Sequence, residues 1–145
     1  MISKTVLVLS EDFKDGLTAE GVGAALARGL GSGATLECDL WPVSAGAYTP
    51  AHVGRLLDEH DFDRRLRRAR CLVIAAAGLR DDTLAGSLAF EAATRARQGG
   101  VPAYAVTAHD ELHPFEARIL DLQVVLEAAD SRALSAAGRK FSGLV

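Results

Sequence analysis

Residues 71–77 constrain the fold of this chain more than any other stretch, because Cys-Leu-Val-Ile-Ala-Ala-Ala presents no polar side chain on either side. A strand with one wet face alternates, whereas an unbroken apolar run of this length fits a central strand covered on both faces, as in parallel sheets packed between helices. Val6-Leu7-Val8-Leu9 has the same character and gives way at once to Ser10-Glu11-Asp12-Phe13-Lys14-Asp15-Gly16-Leu17-Thr18-Ala19. Glu11, Asp12, Lys14 and Asp15 cannot be buried unpaired, so the chain must leave the sheet there. Ligands of open α/β sheets bind at such strand-to-helix crossings. Lys14 is therefore a candidate anion ligand and Thr18 a candidate cap for the next helix.

The rest of the chain supplies the elements that such a sheet needs. Val22, Ala25, Leu26, Gly29 and Leu30 recur at helical spacing and stop at the glycines 31 and 33. Residues 34–40 read as a second strand toward the edge of the sheet, closed by Trp41 and Pro42, since proline tolerates no central ladder position. A loop follows to Pro50. Residues 51–70 then read as two short charged helices meeting near His60, with Val53, Leu56 and Leu57 on one apolar stripe and Phe62 and Leu66 on another. Residues 82–98 read as one long helix with Leu84, Leu88, Ala92 and Ala96 along one side, ended by Gly99 and Gly100.

Residues 101–107 form the next strand. Pro114 opens a helix capped by His113 or an earlier polar residue, with Phe115, Ile119 and Leu120 facing inward. Residues 122–126 are a last short strand, and Asp130 and Ser131 can cap a terminal helix running to about Lys140. Alternating strands and helices specify a mostly parallel sheet with right-handed crossovers, a three-layer α/β/α sandwich. At 145 residues the chain has the length of one domain, able to bury roughly 70% of its unfolded surface without a disulfide or metal staple.

Sixteen basic and 19 acidic residues leave a net charge of -3, which suggests neither a nucleic-acid surface nor an acidic tail. No apolar run approaches the ~18 residues of a membrane span. Residues 1–4 lead into the first strand without the basic flank and cleavage site of a secretory signal, so a cytoplasmic location is expected. In that reducing compartment the isolated Cys38 and Cys71 read as core residues rather than a bridge. Arginines 64, 65, 67, 68 and 70 follow acids at 58, 59, 61 and 63, an order that suits a helix dipole and reads as a solvated face. No aromatic is interleaved there to stack bases.

His109 and His113 stand at i and i+4, yet the helix begins only at Pro114, so they read as loop histidines and no metal site is assigned. Gly78-Leu79-Arg80-Asp81-Asp82 ahead of a helix makes a strand-turn-helix that could take an anion at the helix N-terminus with help from Arg80. Otherwise Asp81 or Asp82 is simply the cap of that helix.

Several of these segments together resemble the type I glycerate kinases. Residues 10–19 resemble the family's P-D-S-F-K-G-S-L-[ST]-A turn, with Phe13, Lys14, Leu17 and Ala19 matching and Glu11 in place of the family's first Asp. Pro42, Val43, Ser44, Ala45, Gly46, Ala47, Tyr48 and Thr49 stand where the family has P-V-A-D-G-G-E-G-T, and its Asp has become Ala45. Phe62, Asp63, Leu66 and Ala69, then residues 72–78 with Asp81, Thr83 and Gly86, resemble F-D-x-x-L-x-x-A-D-L-V-I-T-G-E-G-R-x-D-x-Q-[ST]-x-x-G-K with one residue deleted. There Ala77 occupies the Glu position and Ser87 the Lys. Residues 100–107 resemble G-V-P-V-x-A-[LV]-[AT]. The matches cover most of the chain in the correct order.

The resemblance implies a single Rossmann-like domain over residues 1–145. It also implies the absence of the second domain that the family inserts between these blocks, where only residues 50–61 stand here. Loss of an Asp, a Glu and a Lys together with the facing wall removes the positioning and charge stabilisation on which phosphoryl transfer depends. The expected function is thus that of a truncated relative without normal kinase activity, binding a small anionic metabolite or nucleotide. One alternative is an active glycerate kinase-like phosphotransferase completed by a homo-oligomeric partner, for which ATP and magnesium would be required; another is a non-enzymatic interaction module. The ligand-binding candidates lie at the carboxyl edge of the sheet: Glu11, Asp12, Lys14, Ser44, Gly46, Gly78, Arg80, Asp81 and His109. Lys14 is the candidate catalytic residue, and neither nucleic acid nor membrane is an expected partner.

Overall fold

The computed structural model describes residues 3–32, 36–44 and 49–145. In chain order the elements are β1 (Thr5–Glu11), α1 (Ala19–Leu30), β2 (Glu37–Val43), a 3-10 turn (Pro50–His52), α2 (Val53–Glu59), α3 (Phe62–Arg68) and β3 (Cys71–Ala76). They continue with β4 (Leu79–Arg80), α4 (Asp81–Leu84), α5 (Leu88–Gln98), β5 (Ala103–Thr107), β6 (Asp110–Glu111), α6 (Pro114–Ile119), β7 (Leu122–Glu127) and α7 (Ser131–Ser142). Five strands form one parallel sheet in the order β2-β1-β3-β5-β7. The crossover direction reverses between β1 and β3, the switch point where doubly wound sheets open a crevice at their carboxyl edge.

The expected three-layer α/β/α sandwich is the observed architecture. Every residue of β3 is buried, because the strand is central and covered on both sides. The alternation along β1 divides the core. Leu7 and Leu9 pack with Leu57, Phe62, Leu66 and Leu88 beneath α2, α3 and α5, whereas Val6 and Val8 pack with Val22, Leu26, Leu134 and Phe141 beneath α1 and α7. Each such fully buried side chain stabilises the fold by roughly 1.5–3 kcal/mol. On the second face α1 and α7 cross closely, with Ser135 Oγ donating to the Ala25 carbonyl at 3.0 Å and Arg28 Nη2 donating to Ser131 Oγ at 3.0 Å.

The structure corrects four local expectations. Strand β2 continues through Trp41 and Pro42 to Val43; it is an edge strand, and on its outer side a missing N–H breaks no ladder bond. The long helix expected over 82–98 is two helices. Gly86 adopts φ +78°, Ala85 is extended, and Ser87 restarts the helix by accepting the Phe90 N–H at 3.1 Å. In α6 only the direction of Leu120 is as expected: Leu120 is buried, but Phe115 and Ile119 are 55% and 42% exposed, because this six-residue helix leans on the edge strand β7 rather than on the core. Finally, β4 and β6 pair as a separate two-stranded parallel ribbon where a turn and a loop were expected.

Candidate functional site

The loop leaving β1 is braced from within. Ser10 is buried and its Oγ donates to the Ala19 carbonyl at 2.8 Å. Phe13 donates its N–H to the Leu17 carbonyl at 2.8 Å and buries its ring in the core against α1. Asp15 and Gly16 both have positive φ, 65° and 78°, the pattern of the Asp-Gly pair in a primed tight turn. Lys14 is thereby held exposed at the rim of the sheet.

The N-terminus of α1 is already occupied by the chain's own groups. Asp12 Oδ1 accepts the Ala19 N–H at 2.7 Å, and Thr18 Oγ1 accepts the Gly21 N–H at 3.1 Å. An external anion has to compete with the Asp12 carboxylate for these donors, so recognition at this edge falls to side chains. Thr18 is the cap that its sequence position suggested.

A second loop meets the first from β3. The chain passes through Ala77 and Gly78 from β3 into β4, whose Leu79 N–H donates to the His109 carbonyl at 3.0 Å. The ribbon sets Leu79 opposite Asp110 and Arg80 opposite Glu111. Arg80 Nε lies 3.3 Å from Glu111 Oε2. The far side of the ribbon is fastened by Thr107 Oγ1, which accepts the His109 N–H at 3.3 Å, and by Glu127 Oε2, which accepts the Asp110 N–H at 3.0 Å.

Between the two loops lies a cavity of about 380 Å³ lined by Lys14, Ala77, Gly78, Arg80, His109 and Glu111. A second cavity, of about 270 Å³, shares Ala77, Gly78 and Arg80 with it and reaches Glu11, Leu84 and Ser87. Of the residues singled out from sequence, Glu11, Lys14, Gly78, Arg80 and His109 thus come together at the carboxyl edge. Asp12, Ser44 and Asp81 line neither cavity, and Gly46 lies outside the described residues. Asp81 does not cap α4, which starts after Arg80 without a side-chain cap; its Oδ1 instead accepts the His113 N–H at 3.0 Å and ties this segment to α6. With a single turn, α4 also lacks the length to offer an anion-binding helix end.

Glu111 escaped the sequence reading, because two-residue strands carry no periodicity and the pairing that brings it to Arg80 is purely tertiary. The two histidines do not act as a pair. His113 Nδ1 accepts the Phe115 N–H at 3.1 Å as the cap of α6, while His109 lines the cavity. Among the described residues no group of three or more His, Cys, Asp or Glu side chains is arranged to hold a metal ion.

The remaining charged clusters are ties between elements. Arg65 grips Asp39 through Nε at 3.0 Å and Nη2 at 2.7 Å and lies over the Trp41 ring, so it departs from the solvated face that Arg64, Arg67 and Arg68 form. Arg95 joins Asp58, Asp63 and the Gly54 carbonyl. It also lines a cavity of about 360 Å³ between α3 and α5. That cavity borders Gly99 and Val101, ahead of β5, and so faces the amino edge of the sheet, away from the switch point. Burial pushes the Cys71 thiol up to about 12 and also raises that of half-buried Cys38. Neither is a thiolate nucleophile near neutral pH.

No protein-family model matches this chain, and no curated protein matches it. Among the described residues no helix is long and apolar enough to cross a membrane.

Proposed function

We propose that this chain is a reduced, single-domain relative of the type I glycerate kinases that binds a small anionic metabolite at the carboxyl edge of its sheet and does not carry out the ordinary kinase reaction. The observation that carries this reading is the convergence of Lys14, Arg80 and His109 on one cavity at the edge where doubly wound sheets take their ligands. Each residue comes from a different crossing, after β1, in the β3 to α4 connection and after β5. Glu11 lines the adjoining cavity, and the rigid turn beneath Lys14 gives its ammonium a fixed base.

Against phosphoryl transfer stand the replacement of three charged motif positions, by Ala45, Ala77 and Ser87, and the short connection over residues 50–61 where the family inserts its second domain. Such transfer relies on positioning and on charge stabilisation from all sides. Thermal denaturation with glycerate, ATP-magnesium and phosphosugars tests the reading, since ligands that bind only the folded state raise its melting temperature. The expected result is an upward shift with at least one of these anions that disappears in Lys14→Ala, without turnover of ATP. No shift with any of them in the folded protein rejects the reading and favours a non-enzymatic interaction module.

A second reading has support from α6, whose exposed Phe115 and Ile119 suit self-association that would supply the missing wall. It requires ATP-dependent, Lys14-dependent phosphorylation of glycerate. Absence of that turnover in the wild type removes it.

A further inference from the structure

We propose that Glu111 tunes the charge selectivity of the Lys14 cavity, weakening the binding of a phosphate dianion more than that of a monoanion. The proposal rests on the anion-binding reading above and concerns a residue that the motif comparison does not reach. Two cations, Lys14 and Arg80, and one carboxylate, Glu111, line the cavity beside His109. Glu11, on the adjoining cavity, adds negative charge from the other side.

The position of Glu111 is fixed by backbone. Arg80 and Glu111 are register partners of the parallel ribbon, whose other rung, Leu79 with Asp110, is held by Leu79 N–H on the His109 carbonyl and Asp110 N–H on Glu127. The register sets the two residues side by side, and Arg80 Nε lies 3.3 Å from Glu111 Oε2. Their side chains are 56% and 59% exposed, so water screens the pair and an incoming anion can compete for Arg80.

A dianion feels twice the attraction of Lys14 and Arg80 and twice the repulsion of Glu111 that a monoanion feels, because the Coulomb energy scales with the ligand's charge, so the carboxylate costs the dianion more. Glu111 is thus a repulsive element that acts hardest on the more highly charged ligand, a common route to discrimination.

The test is a chemical-shift titration of the Gly78 and His109 amides with acetate and, separately, with inorganic phosphate, at mildly alkaline pH and constant ionic strength. In Glu111→Gln, acetate is expected to bind about two- to fivefold tighter, the range that one exposed charge interaction supports. Phosphate is expected to gain by roughly the square of that factor, since its charge is doubled. Glu111→Asp, which keeps the charge, should retain the wild-type preference. Equal gains for both anions, or none, overturn the role of Glu111 while Lys14-dependent binding persists. If neither anion shifts these amides in either protein, the anion-binding reading itself falls and the selectivity falls with it.

Discussion

Gly29 of α1 and Gly138 of α7 touch backbone to backbone. A Cβ on Gly29 would lie 2.9 Å from the Gly138 Cα and 2.7 Å from the Arg139 nitrogen, and one on Gly138 would lie 3.0 Å from the Gly29 Cα. None of these contacts can be relieved by rotating a side chain. Gly29→Ala and Gly138→Ala should each destabilise by about 1–3 kcal/mol, as overpacked sites do. Helix propensity alone would give the opposite sign. Gly54→Ala is the control: its new methyl meets only the end of Arg95 at 3.7 Å, so a gain of up to about 1 kcal/mol is expected. Urea midpoints of the three variants decide the matter.

Asp12 acts as a tethered acceptor for the first amide of α1, 2.7 Å away. Asp12→Ala should lower stability by about 0.5–2 kcal/mol, the usual cost of removing a capping side chain. Chemical denaturation measures this. An unchanged midpoint would show that water replaces the carboxylate without loss.

Gly16 isolates a backbone effect. Its φ is +78° and nothing lies within 4 Å of the position a Cβ would take. Gly16→Ala should therefore cost about 1 kcal/mol through left-handed strain alone. In thermal melts the loss should shrink in Gly16→Asn, since asparagine tolerates this conformation better.

Cys71 predicts an alkaline limit to stability. Burial raises its thiol from 9.0 to about 12 in the folded protein, so the folded state keeps a proton that the unfolded chain gives up. The associated stability is complete below about pH 9 and is lost as pH rises toward about 12. Burial moves Tyr104 in the same direction, which adds to the loss at the upper end. Stability measured against pH should fall from about pH 9 in the wild type, and Cys71→Ala should flatten the onset of that fall.

The strands were legible in the sequence wherever burial on both faces left only one interpretation. Cys71 to Ala76 and Val6 to Leu9 are the clearest cases, and their central positions follow from it. The break before α5 was hidden because Leu84 and Leu88 keep helical spacing across a gap in which the backbone does not. Phe115 and Ile119 misled for a different reason: a hydrophobic pattern states what prefers burial, while the edge position of β7 decides whether anything is there to bury it. At the candidate site, Lys14, Gly78, Arg80 and His109 could be collected in advance because parallel topology sends every crossing to the same edge. Glu111 could not, since only the register of the ribbon joins it to Arg80.

The glycine contact also sets a schedule. Val6, Val8, Val22 and Leu26 belong to a core that closes only when Leu134 and Phe141 arrive from α7. Between Gly29 and Gly138 lie 108 positions of chain, which a ribosome adding about 5–20 residues per second takes roughly 5–20 s to make. As the later strands are made, the sheet face that α1 and α7 share in the folded protein lacks the cover of Leu134 and Phe141 until α7 follows. Exposure to misassembly during synthesis is therefore greatest before α7 is made.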